Sequence, residues 1–157
     1  NWGLDHGAWS VIKHLYPAAD IPVIQMSLDY SKPPSYHYYI AKELSSLRSK
    51  GILIVGSGNM VHNLGMVAWD KMNLSDYAYE WAKEASSQMK NFITTKNHSN
   101  LINYAAQGRS WQLAIPSPEH YLPLLYVLGL QDENEEATLY NDKAVAGSLT
   151  MTSVKIG

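Results

Sequence analysis

The 157-residue chain has room for one domain of ordinary size. Hydrophobic residues make up 46% and charged residues 17%, the composition of a folded protein and not of a disordered one. With 12 Lys and Arg against 14 Asp and Glu and a pI near 6.3, the basic excess of a nucleic-acid binder is missing. The longest apolar run, residues 121–130, contains Pro123 and falls short of the ~18 residues of a membrane span, so no membrane partner is expected. The absence of cysteine excludes disulfides, zinc fingers, iron–sulfur clusters and thiol catalysis, and fits a cytoplasmic protein. The chain opens on Asn1, not Met, and runs directly into Trp2-Gly3-Leu4-Asp5-His6-Gly7, which reads like the middle of a protein; an N-terminal portion is expected upstream. Eleven Tyr and 5 Trp against 1 Phe suit half-polar clefts and interfaces.

In chain order, residues 8–16 carry Val11, Ile12 and Leu15 at helical spacing, and Pro17 stops the helix. Residues 22–28 (PVIQMSL) read as a buried strand. A turn-rich loop follows at 29–34. Ser35 then caps a helix to about Arg48, ended by Gly51. Residues 52–56 (ILIVG) form a continuous apolar run, the pattern of a central strand covered on both faces. Ser57–Asn63 is then a loop at the carboxyl end of that strand, where open α/β sheets bind ligands. Ser75 or Asp76 starts a long helix to about Phe92, with Tyr79, Ala82, Ala85 and Met89 in register. Residues 100–106 form another short helix. Pro116-Ser117-Pro118 is a stiff turn, and 119–128 a helix with Leu122, Leu125 and Tyr126 inward. Residues 138–140 and 148–155 alternate as half-exposed strands do. This order predicts an α/β fold with a mixed central sheet flanked by helices, in a single domain over 1–157.

Three of the six histidines stand in unusual settings. His6 precedes a helix, His62 follows the apolar strand, and His120 follows the Pro-Ser-Pro turn beside Glu119. Separations of 56 residues (His6 to His62) and 58 (His62 to His120) are too long for a local zinc motif, so a shared site must be assembled by the fold. His14, His37 and His98 read as structural or exposed. Ser57 lacks the GxSxG setting of a nucleophile elbow, since Val55 and Asn59 flank it. The same stretch is neither a dinucleotide fingerprint, with Val61 where the third glycine belongs, nor a phosphate-binding loop. Glu119 beside His120 reads either as a ligand and its orienting partner or as an acidic residue favouring a helix N-terminus.

Three blocks carry a resemblance. Gly3–Trp9 with Tyr16-Pro17 and Asp20–Val23, Gly51–Asn63 (GILIVGSGNMVHN), and residues 116–125 (PSPEHYLPLL) followed by Gly129 resemble, in order, the extradiol ring-cleavage dioxygenases of the DOPA-dioxygenase type, within the wider class III, LigB-like group; Ser148–Val154 resembles its final strand. The resemblance implies a three-layer, LigB-like fold lacking its N-terminal strands here, and the C-terminal part of a catalytic domain. It implies a non-haem Fe(II) enzyme, with Zn(II) as the other metal found in that branch, which opens a catechol ring such as that of DOPA beside its two hydroxyls using O₂. His120 matches a metal-ligand position. His62 matches the catalytic histidine, which also approaches the metal, and His6 matches an active-site histidine near substrate or oxygen. Two further ligand histidines belong upstream of Asn1. Position 115 is Ile, where many relatives have His.

The chemistry suits these types: an imidazole with an unperturbed pKa of about 6.5 can take a catechol proton and return it. That role falls to His62, with His6 a second acid/base or hydrogen-bond donor. Trp9, Tyr36 and Trp111 are candidates for an aromatic substrate pocket. Expected partners are a catechol and O₂, no nucleic acid, and the protein's own N-terminal segment or a second copy. The competing readings are a zinc-binding relative with another reaction and a non-catalytic interaction protein on the same fold; with His120 and at most His62 as ligands, this chain alone is expected to be inactive.

Overall fold

Asp5 starts the first helix. Its backbone is extended and its carboxylate accepts the N–H of Ala8 at 2.8 Å, satisfying one of the orphan donors of α1 (His6–Leu15). The computed structural model describes residues 3–157; Asn1 and Trp2, the start of the first sequence block, lie outside the described residues. Helix α2 (Pro34–Glu43) begins one residue earlier than Ser35, because Pro33 and Pro34 hold φ at helical-entry values without any side-chain cap. It passes into a 3₁₀ turn (Ser45–Lys50), which Gly51 closes at a left-handed φ of 76°.

The segments read as a buried strand, 22–28, and a central strand, 52–56, make no ladder among the described residues. Ile24 is 95% exposed and Leu53 64%. A central strand needs neighbours on both edges and cover on both faces, and these residues supply neither. The α/β class holds, with the sheet reduced to two antiparallel pairs. Strand β1 (Ala137–Tyr140) pairs with β4 (Ser153–Ile156), and β2 (Ala144–Val145) with β3 (Leu149–Thr150).

Helix α3 (Glu80–Thr94) starts later than the sequence pattern suggests. Asp76 has a positive φ, and the carbonyl of Tyr77 and the N–H of Tyr79 are taken by a bridge to Gly147, so this stretch cannot enter the helix. Helices α4 (His98–Ile102), α5 (Arg109–Ala114) and α6 (Leu122–Gly129) complete the helical layer. Helix α6 also begins late, since the Pro118 carbonyl accepts the N–H groups of both Tyr121 and Leu122 in a turn.

The main core lies among α3, α4, α5 and α6, where Met89, Ile93, Leu101, Trp111, Leu125 and Leu128 are wholly buried. Trp111 was a candidate for the substrate pocket; instead it fills this core, its indole N–H donating to Gln88 at 2.6 Å. Ile115, the departure from the family pattern, is buried there too. Helix α2 packs on α6. Two buried pairs secure it: His37 Nδ1 shares a hydrogen bond with the Tyr126 hydroxyl at 3.1 Å, and His98 Nδ1 with that of Tyr38 at 2.9 Å. Arg48 clamps Glu135 with two bonds of 2.7 and 2.5 Å and also donates to the Leu130 carbonyl.

Candidate active site

The segment 57–63 has almost no regular structure of its own and is fixed by its neighbours. The N–H of His62 donates to the Ala114 carbonyl at 2.9 Å, and His62 bridges antiparallel to Leu149 of β3. On either side, Thr150 donates its N–H to Val61, and Asn63 donates its N–H to Ser148 while accepting from the Ser148 hydroxyl. The Asn63 amide reaches the Leu113 carbonyl at 2.8 Å, and the Asn59 amide the Thr150 carbonyl at 2.6 Å. His62 thus leaves the edge of a small sheet whose next strand is β3.

His120 comes from the turn before α6. The N–H of Asn59 donates to the His120 carbonyl at 2.8 Å. A Cβ at Gly58 would overlap that same carbonyl, and one at Gly56 would lie 2.6 Å from the Pro123 carbonyl. Only glycine lets the two loops lie flush. The result is a stack: the His62 and His120 rings lie with centroids 3.6 Å apart and planes inclined by 20°. Residues 58 apart in sequence meet face to face.

Burial, then the neighbouring His120, holds the His62 pKa below its ordinary value, while Glu119 pulls the other way. His62 is therefore a neutral imidazole at neutral pH, with a lone pair free for a proton or a metal. The Ser117 hydroxyl donates to Glu119 at 2.6 Å; that bond first, with a lesser contribution from the two imidazoles, keeps the carboxyl below its usual range. Glu119 is thus an ionised carboxylate beside the stack.

His6 is exposed at the first residue of α1, and Trp9 is 47% exposed with the Lys13 ammonium 5.4 Å from its ring centre. The stack joins His62 and His120 alone. One bond ties the segment next to His6 to the loop that leads to His62: the Ser57 hydroxyl donates to the carbonyl of Gly7 at 3.0 Å. Tyr36 lines a shallow hollow with Tyr39 and Ile40, which holds none of the three histidines. Among the described residues no three His, Cys, Asp or Glu side chains come close enough to hold a metal ion. Asn59, Asn63 and Ser148, which set His62, drew no attention in the sequence; the alternation of 148–155 was the available signal for Ser148.

A family model, the catalytic LigB subunit of aromatic ring-opening dioxygenase, matches residues 1–154. The chain is 43% identical to the 4,5-DOPA dioxygenase extradiol of Escherichia coli (strain K12), over 99% of this chain and 57% of that protein. It is 33% identical to the enzyme of the same name from Beta vulgaris, over 98% of this chain and 56% of that protein. The crystal structure of an uncharacterized protein from Escherichia coli K12 matches with a TM-score of 0.89 at 43% identity, covering 100% of this chain and 64% of that one. The chain spans a little over half the length of these curated relatives.

Proposed function

Because the chain belongs to the LigB family of aromatic ring-opening dioxygenase catalytic subunits, we propose that it serves in extradiol cleavage of a catechol such as DOPA. In that reaction the ring carbon–carbon bond beside the two hydroxyls breaks and both atoms of O₂ enter the product. The observation that carries the reading is the His62–His120 stack. The two imidazoles are of the donor type a divalent non-haem metal takes, and because no three such side chains converge among the described residues, the set would be completed by ligands from outside them. His120 is the metal ligand in this reading, and His62 stands at the metal's edge. When bound, Fe(II) supplies a Lewis acid for the catecholate and the electrons that O₂ requires. Zn(II) is the alternative occupant and supplies only the first.

The chain's own residues do the proton work. His62, neutral at rest, takes a proton from a catechol hydroxyl and returns it to the opened ring. His6 donates a hydrogen bond to substrate, and Trp9 offers it an aromatic face. The remaining ligands come from the N-terminal segment of the catalytic domain, whose C-terminal part is the present chain; that segment, or a second copy, covers the exposed 22–28 and 52–56 stretches. No helix of the described residues is long and apolar enough to cross a membrane, and a cytoplasmic location accords with the cysteine-free sequence.

The test uses the full-length protein. With Fe(II) and DOPA, O₂ uptake should match formation of the yellow ring-opened product, and the 157-residue chain with Fe(II) should show neither. His120→Ala should lose metal on dialysis, more than the ~10–100-fold weakening expected for a residue behind the ligands. Undiminished metal in His120→Ala would remove it from the ligand set. A full-length protein active on no catechol with either metal would overturn the function.

A further inference from the structure

The positioning of His6 has a physical peculiarity. Helix α1 has no buried residue, so packing does not fix where it stands. Its N-terminal end is nonetheless tied from two directions. On one side Asp5 and Gln25 exchange two hydrogen bonds: the Asp5 N–H donates to Gln25 Oε1 at 2.9 Å, and Gln25 Nε2 donates to the carboxylate at 2.7 Å. On the other, Ser57 donates to the Gly7 carbonyl across 50 residues of sequence. The tied residues, Asp5 and Gly7, flank His6. The second tie comes from the turn whose next two residues abut His120 and which leads to His62.

We propose that Ser57 is a positioning residue: its hydroxyl sets His6 relative to the His62–His120 stack. The inference rests on the dioxygenase reading of the site but adds a role that the reading does not require. Ser57 touches neither substrate nor metal in this account, and acts through the backbone of Gly7. Small displacements of a group that contacts substrate can lower turnover about 100-fold, so loss of one of two ties should show at roughly a tenth of that.

The experiment is a double-mutant cycle in the full-length, metal-loaded protein, read by kcat/KM on DOPA and by the affinity for nitrocatechol, an inert coloured analogue. Ser57→Ala should lower kcat/KM and nitrocatechol affinity about tenfold, and Ser57→Thr, which keeps the hydroxyl, should restore most of both. In a His6→Ala background the Ser57→Ala change should have less than a twofold effect, because the residue it positions is gone. Gln25→Ala, which frees the opposite side, should show the same dependence on His6. Equal losses with and without His6 would make Ser57 a general structural residue and overturn the proposal. So would wild-type behaviour of Ser57→Ala alongside a crippled His6→Ala, which leaves the site reading intact. A fully active His6→Ala would instead strike the reading of His6 itself, and the proposal with it.

Discussion

The helical layer α3–α6 and the stretches 3–33 and 52–56 are both rich in apolar side chains and treat them in opposite ways. In the first, Ile93, Leu101, Trp111 and Leu128 expose nothing; in the second, Ile24, Leu53 and Leu15 stand largely in solvent. At about 25 cal/mol per Å² of apolar surface withheld from water, burial stabilises only where a second surface exists to receive it. The catalytic candidates divide along the same line. His62 and His120 are held by backbone ladders against the packed layer, whereas His6 belongs to α1, which has no buried residue, and is held by side-chain hydrogen bonds. Rigidity comes from packing on one side and from a few polar ties on the other.

The largest expected effect lies on the packed side. His62→Ala should lower kcat about 10²–10⁴-fold, the usual weight of general acid–base help, while the melting temperature stays near wild type, since the ladder to β3 is made by backbone. Activity within a few-fold of wild type would remove His62 from the chemistry. Next, Trp111→Ala should destabilise the 157-residue chain by about 3–5 kcal/mol in urea melts. Ile24→Ser and Leu53→Ser should change it by no more than about 0.5 kcal/mol. If the exposed pair proves as costly as Trp111, the contrast between the two regions is wrong.

Acid should then act on the packed side first. Burial holds His37 and His98 below the ordinary imidazole value, and at His98 the Lys42 and Lys96 charges add to it. As pH falls through about 6.5 the unfolded chain takes up protons that these two refuse, so stability drops. Thermal melts between pH 8 and 5 should show that decline, and a flat profile would contradict it. A smaller effect than that of Trp111 is expected at Arg48, whose two hydrogen bonds hold the Glu135 carboxyl at about 2. A depressed carboxyl stabilises the fold above its unfolded value of about 4.5, and that contribution fades as pH falls toward 2. Arg48→Ala should therefore lose roughly 1 kcal/mol more at neutral pH than near pH 2; a loss independent of pH would point to the bond to the Leu130 carbonyl or packing by the Arg48 stem instead.

Much of the packed side was legible in the sequence. The 3.6-residue spacing of Ala82, Ala85 and Met89 identified the buried face of α3, and Gly51 the helix end. The two apolar runs at 22–28 and 52–56 misled because their composition describes a surface awaiting cover, and composition cannot say whether the cover lies within reach. Helix α5 escaped notice since six residues give too little periodicity. At the site, residue types and the resemblance led to His62 and His120, but their face-to-face stacking depended on Gly56 and Gly58 acting as clearance for the 120–123 backbone. That is a three-dimensional fact with no one-dimensional trace beyond the glycines themselves.

The ladder around His62 also has a consequence in time. The amides of His62, Asn63 and Thr150 are each donated to a carbonyl of another segment, Ala114, Ser148 and Val61. In deuterated water these three should exchange on the timescale of global unfolding, while amides of 22–28 and 52–56 exchange early. The imidazole proposed to carry protons is thereby mounted on a stretch of backbone tied at every one of these amides, which would confine its working motion to the side chain.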